Sequence, residues 1–210
     1  MITGLLFLLV QVVSPDTIRI RDIERSPRPG RLLDTLQYGS PQIRLRTGQG
    51  TARIWLLRAT DTVFLAAIIP DTTRYWGDDF VVSLHTDGEP APLPQHEDFQ
   101  LYFRRMLDSS MVFRGRDGRW EPPRDDPDWR LGPARVGGGW EISSEDETAV
   151  WGVLLRLDPA WFPRNSHRTP RIAFRIYDDA PGGWFSWPTP EAGAPATTVE
   201  RSPIRWARVR

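Results

Sequence analysis

Cysteine is absent from the 210 residues. That excludes a disulfide scaffold, an iron–sulfur cluster, a thiolate zinc site, a cysteine nucleophile and a lipidated N-terminal cysteine. Lysine is absent too, so all 27 basic residues are arginine, and 27 acidic residues bring the formal net charge to zero. A balanced chain gives no electrostatic ground for a nucleic acid or an anionic membrane as partner. Asparagine occurs once, at Asn165. Arginine without lysine, with scarce asparagine, reads as GC-rich coding rather than as a guanidinium-based function. No GxSxG elbow, glycine-rich phosphate loop or HExxH pair is present, and His85, His96 and His167 stand apart. Glu145, Asp146 and Glu147 sit side by side in a polar run, which suggests a turn rather than two carboxyls facing each other across a cleft. The sequence therefore points away from catalysis.

Long helical periodicity is also missing. No window longer than about 12 residues carries a capped 3.6-residue repeat. One long apolar run exists, residues 1–14 (MITGLLFLLVQVVS). It is too short and too close to the start to read as a membrane span, and it has the shape of a secretory signal core. The expectation is a signal over 1–14, one domain over 15–210, and a secreted or periplasmic protein with no membrane span.

What is present is a series of short alternating runs. Residues 17–23 place Ile18 and Ile20 on one side and Arg19 and Arg21 on the other, and 42–46 repeats the pattern with Ile43 and Leu45. Runs 53–58 and 62–69 flank the short link Ala59-Thr60-Asp61 and predict a hairpin. Further strands are expected over 80–84, 98–104, 110–114, 136–142, 149–157, 171–177 and 204–209, with one helical turn over 158–162. Twenty prolines and 17 glycines punctuate the boundaries. Many short strands with closely spaced turn signals predict an all-β protein, a single antiparallel β-sandwich of jelly-roll or immunoglobulin-like type.

Residues 71–88 (DTTRYWGDDFVVSLHTDG) concentrate the chemistry. Tyr75 and Trp76, then Asp78 and Asp79, stand at the mouth of a strand. A sugar ring stacks its C–H face on an indole and needs hydrogen-bond partners at its rim. The ten tryptophans divide by context. Trp55, Trp140, Trp151 and Trp206 fall inside strand patterns and read as core, and Trp161 reads as cover for the sandwich edge. Trp76, Trp120, Trp129, Trp184 and Trp187 lie among Gly and Pro, where a large aromatic is more often a surface contact.

The order of these pieces resembles the family 9 carbohydrate-binding modules and the wider DOMON-like β-sandwich group, over roughly residues 43–210. Trp76-Gly77-Asp78-Asp79 precedes a strand ending at Asp87-Gly88, and DFQLYFR (98–104) is similar to the next strand. GGWEI (138–142) leads toward AVWGVLL (149–155) and DPAWF (158–162). The end, RIYDD (175–179) followed by GGWFSWP (182–188) and a last strand introduced by Pro203, is the most specific part. The resemblance implies non-catalytic binding of a saccharide between two indoles, Trp76 and Trp187. Gln100 and Arg104, four apart on one strand, would address the hydroxyls, and Trp184, in the same segment as Trp187, is a further sugar-binding residue. It also implies calcium as an optional ligand and a polysaccharide-degrading enzyme as a partner.

The sequence departs from the family at two points. Residues 80–84 (FVVSL) hold no carboxylate where sugar binders of the family carry one, and Arg105 and Met106 follow Arg104 where an asparagine is expected. Asp78 and Asp79 then read as turn residues. Asp125, Asp126 and Asp128 form an acidic cluster without the spacing of an EF-hand and read as solvated loop charge. Two other functions stay open. One is a haem-binding electron-transfer domain with Met106 or Met111 and His85 as axial ligands; the other is a sandwich that serves only as a structural or interaction module.

Overall fold

The computed structural model describes residues 17–28, 38–70, 79–104, 109–122, 140–142, 150–164, 169–180, 182–190 and 197–210. The run over 1–14, Trp76, Asp78, Met106, Trp129, the acidic cluster at 125–128 and the run at 145–147 lie outside them.

Along the chain come β1 (Thr17–Ile18), β2 (Arg21–Asp22), β3 (Ile43–Arg46), β4 (Thr51–Ala59), β5 (Thr62–Pro70) and β6 (Asp79–His85). Then follow β7 (Asp98–Arg104), β8 (Ser109–Arg116), β9 (Arg119–Glu121), β10 (Trp140–Ile142) and β11 (Val150–Leu157). The chain closes with β12 (Arg171–Asp178), β13 (Gly183–Trp187), the helical turn α1 (Thr197–Glu200) and β14 (Ala207–Val209). The larger sheet runs β1-β14-β12-β6-β7-β8-β9, with β13 also on β12. The smaller runs β10-β11-β5-β4-β2, with β3 also on β4. Pairing is antiparallel except for β1 on β14 and β2 on β4, which are parallel. The expected all-β sandwich is the fold.

Period-two alternation builds it. In β4, Ala52, Ile54 and Leu56 turn into the space between the sheets, while Trp55, Leu57 and Ala59 turn away. The central core joins these inner residues to Leu65, Phe80, Leu101, Trp151, Leu155 and Phe174. The rings of Phe80 and Phe174 stack across neighbouring strands, 6.1 Å apart and 3° from parallel. Burying one such side chain contributes about 1.5–3 kcal/mol, and the space between the sheets holds many of them. The far face of the smaller sheet holds a second cluster, Tyr38, Trp55, Leu57, Phe64, Ala66, Ile68 and Leu154. Tyr38 packs on Trp55 at 5.4 Å, and the Trp55 indole donates to the Gly39 carbonyl at 3.0 Å.

Several elements differ from expectation for identifiable reasons. The run over 17–23 is two dipeptides in two different sheets, because the chain crosses the sandwich edge between them. The edge of β4 left open between β2 and β3 is filled by the amide of Gln42. Its Oε1 accepts from the Leu56 N–H at 3.2 Å, and its Nε2 donates to the Leu56 carbonyl at 2.7 Å, as a neighbouring strand would. Residues 183–187, among glycines and read as loop, form β13. The run over 204–209 begins as a 3₁₀ turn, Pro203–Arg205, and only Ala207–Val209 is strand. The turn expected over 158–162 is a 3₁₀ turn, Pro159–Trp161, with Asp158 accepting from the Ala160 N–H at 2.9 Å. Among the described residues, no helix is long and apolar enough to cross a membrane.

Two of the hairpin reversals contrast. Asp117-Gly118, between β8 and β9, has φ of 49° and 79°, and Asp-Gly suits left-handed positions. Thr60, between β4 and β5, has φ of 55°, where a β-branched side chain is strained. Thr60 is exposed, and only its backbone carbonyl is engaged, by Arg164 at 2.9 Å. Thr60→Asn is expected to raise the unfolding free energy by about 1 kcal/mol, measured by urea denaturation. An unchanged or lower midpoint would count against strain at this turn.

Candidate functional site

The far face of the larger sheet collects the chemistry. Alternation places Asp79, Val81, Ser83 and His85 of β6 on it, beside Asp98, Gln100 and Tyr102 of β7. Across β12 lie Arg171, Ala173, Arg175 and Tyr177, and on β13 lie Trp184 and Ser186. Registers fix the rows: Ser186, Arg175, Val81, Tyr102 and Met111 form one, and Ala173, Ser83, Gln100 and Phe113 the next. Strands lie about 4.8 Å apart and residues rise about 3.4 Å along each. The face from β13 to β7 is therefore about 14 Å wide.

Its polar residues are largely buried, and most are paired. Tyr102 Oη donates to the Asp79 carboxylate. Arg175 Nη1 donates to Glu200 at 2.7 Å, which ties α1 to the sheet. Trp120 Nε1 donates to the Glu200 carbonyl at 3.3 Å, and Trp206 Nε1 to the Val199 carbonyl at 2.6 Å. Those two indoles stack at 6.3 Å, within a small cluster that includes Ala173 and Val199. Burial lowers the Arg175 pKa from its ordinary value, and the charge and hydrogen bond of Glu200 oppose that shift. The guanidinium remains the charged species.

Three polar atoms on this face have no hydrogen-bond partner among the described residues: Gln100 Nε2, Arg175 Nε and Ser186 Oγ. Their residues are 4%, 4% and 6% exposed. A buried donor left unmet costs about 1–3 kcal/mol, so three such atoms on one face set it apart from the rest of the sandwich. Ser186 and Arg175 are register partners, and Gln100 lies two positions along β7 from the row they share.

Trp184 stands at the edge of this group. The Arg175 guanidinium lies 4.5 Å from the centre of its ring, and Tyr177, its register partner, meets it at 5.3 Å and 57°. A cation over one face of an indole fixes the plane of the ring. Among the described residues, no aromatic ring stacks parallel to Trp184.

The expected site residues fall in different places. Gln100 and Trp184 share the outer face. Trp187 is in register with Phe174, 5.8 Å from it, and packs against the central core on the opposite face. It does not face Gln100. Arg104 ends β7, in register with Asp79; its side chain lies outside the described residues, as does Trp76. Asp79, expected in a turn, is instead the first residue of β6 and is buried. The strand that showed no carboxylate over 80–84 thus starts one residue earlier, on an acid. Among the other tryptophans, Trp55, Trp151 and Trp206 are buried as expected, and Trp161 stacks on Phe99 at 5.2 Å. Sequence reasoning missed Arg175, Tyr102, Ser186 and Glu200. The signal for Arg175 was available, since positions 171, 173, 175 and 177 share one face of an alternating strand.

His85 has a structural role. Its Nδ1 lies 2.8 Å from Asp98 Oδ1, and its Nε2 lies 3.1 Å from the Gly88 carbonyl. Both ring nitrogens meet acceptors, which leaves neither for iron and places no nucleophile against Nε2. Met111, the other described axial candidate, lies on β8 and is 43% exposed. Asp98 also accepts from the Gln95 N–H at 2.7 Å, so the pair folds residues 86–97 back on the strands. That loop reaches the β8–β9 hairpin, where a Cβ on Gly115 would lie 2.3 Å from the Gln95 carbonyl oxygen. Among the described residues, no three His, Asp or Glu side chains gather as a metal site.

Comparison with known proteins places the fold. No protein-family model matches the chain, and no curated protein matches it. Among solved structures, the chain is similar to a carbohydrate-binding module of family 9 from Caldicellulosiruptor kristjanssonii in complex with glucose. The TM-score is 0.52 at 11% identity, over 92% of this chain and 94% of that one. The cellotriose complex of a family 9 module from the same organism aligns with a TM-score of 0.49 at 11% identity, over 92% and 93%. At this identity the likeness to the glucose complex is one of fold.

His85 yields a test. Burial lowers its pKa, but the Asp98 and Gly88 hydrogen bonds and the charges of Asp98 and Glu97 together raise it above the ordinary 6.5. A raised folded-state pKa stabilises fully below that ordinary value, and the contribution is lost as pH rises through the folded one. The Tm advantage of wild type over His85→Gln should therefore shrink between pH 5.5 and pH 9. An advantage that grows with pH would refute a charged His85.

Proposed function

We propose that the outer face of the larger sheet binds a saccharide and that the protein is a non-catalytic carbohydrate-binding module. One observation carries this reading: an indole held in plane by a guanidinium shares a face with three buried, unpartnered polar atoms. A sugar ring has the matching chemistry. Its C–H face stacks on Trp184, and its hydroxyl oxygens accept from Gln100 Nε2 and Arg175 Nε. Ser186 Oγ can donate to one hydroxyl or accept from another.

Pairing within the protein supports a binding role over a catalytic one. Asp79 is engaged by Tyr102, Glu200 by Arg175, and Asp98 by His85 and Gln95. Glycoside hydrolysis needs one carboxyl poised as an acid and a second across the scissile bond, and these three are held in internal pairs. The glucose-bound module of similar fold gives the same direction. On this reading Trp184 is the stacking plate, Arg104 and Trp76 remain candidate contributors, and Trp187, half-buried against the central core, lies on the other face of β13. The protein acts outside the cytoplasm, directed there by residues 1–14, and works beside a polysaccharide-degrading enzyme.

Calorimetric and tryptophan-fluorescence titration with neutral mono- and oligosaccharides tests this. Trp184→Ala should weaken binding about tenfold, the loss expected for one stacking contact of about 0.5–1.5 kcal/mol. Gln100→Leu should abolish the response while raising Tm, because it removes a buried donor that has no partner among the described residues. No response of the wild type to any saccharide would refute the reading and leave a sandwich that serves as an interaction module.

A further inference from the structure

The smaller sheet carries a feature that saccharide binding on the larger one does not use. Paired on the edge of β4, β3 alternates Ile43 and Leu45 into the core with Arg44 and Arg46 outward and exposed. Arg44 is in direct register with Arg53 of β4, and Arg46 with Thr51. Arg53 lies on the outward side of β4, between the inward Ala52 and Ile54. Three guanidinium groups thus share one face, with Arg44 and Arg46 about 7 Å apart along the strand and the Cβ atoms of Arg44 and Arg53 about 5 Å apart.

Among the described residues, none of the three makes an ion pair or hydrogen bond. Several other arginines are engaged: Arg58 on Phe162, Arg164 on Asp22, Arg171 on Ile204 and Arg175 on Glu200. Like charges directly opposite on neighbouring strands destabilise a sheet. The overall charge is zero, yet β3 and β4 hold no acidic residue beside these three; Glu141 of β10, in the same row, is three strands away from Arg53.

We infer that Arg44, Arg46 and Arg53 form a docking surface for an anionic polysaccharide, one carrying carboxylates along its length. This surface lies on the sheet opposite the saccharide face and is independent of it. A guanidinium pairs with a carboxylate through two parallel hydrogen bonds, and an anion between Arg44 and Arg53 relieves their repulsion. Single exposed ion pairs are weak, so an open row of three suits a repeating polymer that engages several at once. Single-stranded nucleic acid requires exposed stacking rings beside the charges, but the rings on this face, Tyr38, Trp55 and Phe64, are buried. A lipid surface requires apolar side chains to insert. Among the described residues, the exposed large hydrophobics are Leu93, Met111 and Ile204, none of them on β3 or β4.

The test is affinity electrophoresis and biolayer interferometry of the full chain on polygalacturonate, with neutral dextran and polythymidylate as comparison matrices. Wild type should be retained by polygalacturonate at low salt and released by 0.5 M NaCl. Arg44→Glu with Arg46→Glu should weaken retention about tenfold or more. The same variant should keep or raise Tm, because the carboxylate introduced by Arg44→Glu would face Arg53 as an opposite charge. Its response to neutral sugars should be unchanged, which separates this surface from the saccharide face. Retention that survives the double substitution, absence of retention of the wild type, or equal retention by polythymidylate would each overturn the inference.

Discussion

A residue on a β-strand has only two directions in which to point, and in this protein both are closed along much of the sandwich. β5 is buried from Val63 to Ile69, β6 from Asp79 to His85, and β12 from Ile172 to Ile176. One direction meets the other sheet, where apolar side chains suffice. The second meets covering chain, and every polar group placed there must find a partner at short range. The pairs Asp79–Tyr102, His85–Asp98 and Arg175–Glu200 answer that demand. The unmatched atoms of Gln100, Arg175 and Ser186 stand out because their surroundings are so nearly satisfied.

The two ends of the chain supply part of the cover. Residues 21–23 and 38–42 run beside the smaller sheet, where Gln42 completes the backbone edge of β4 and Tyr38 packs over Trp55. The C-terminal turn α1 lies on the larger sheet, held by Arg175 and by the indole N–H groups of Trp120 and Trp206. Arg175 thus joins two tasks. Its Nη1 anchors the C-terminal turn through Glu200, and the plane of the same guanidinium orients Trp184.

Most of the fold was legible because it rests on alternation. The runs at 42–46, 62–69, 80–84, 98–104, 149–157 and 171–177 lie within or almost within real strands. What failed is what alternation cannot express. Residues 17–23 alternate well but belong to two sheets, and a pattern of faces says nothing about which partner a strand takes. Trp184 and Trp187 occupy one short segment, and their odd separation on a strand puts them on opposite faces. Only the assignment of 183–187 as strand separates the ring that orients with Arg175 from the ring that packs on Phe174. The site was less legible still, because it is assembled across β7, β12 and β13 and closed by a turn near the end of the chain. Asp79 shows the sensitivity of such reading: one residue of strand length changes it from turn charge to a buried acceptor.

The parallel pairing of β1 with β14 bears on how the protein acquires its structure. Ile20 N–H donates to the Arg210 carbonyl at 2.7 Å, and Arg210 N–H to that of Ile18 at 2.9 Å. The second strand of this pair must itself first settle on β12, through Arg171 and Ile172. Residues 17–18 therefore have no seat until residues 207–209 have been placed on β12. Contacts of such long sequence separation slow folding, because the chain must close its largest loop before gaining their reward.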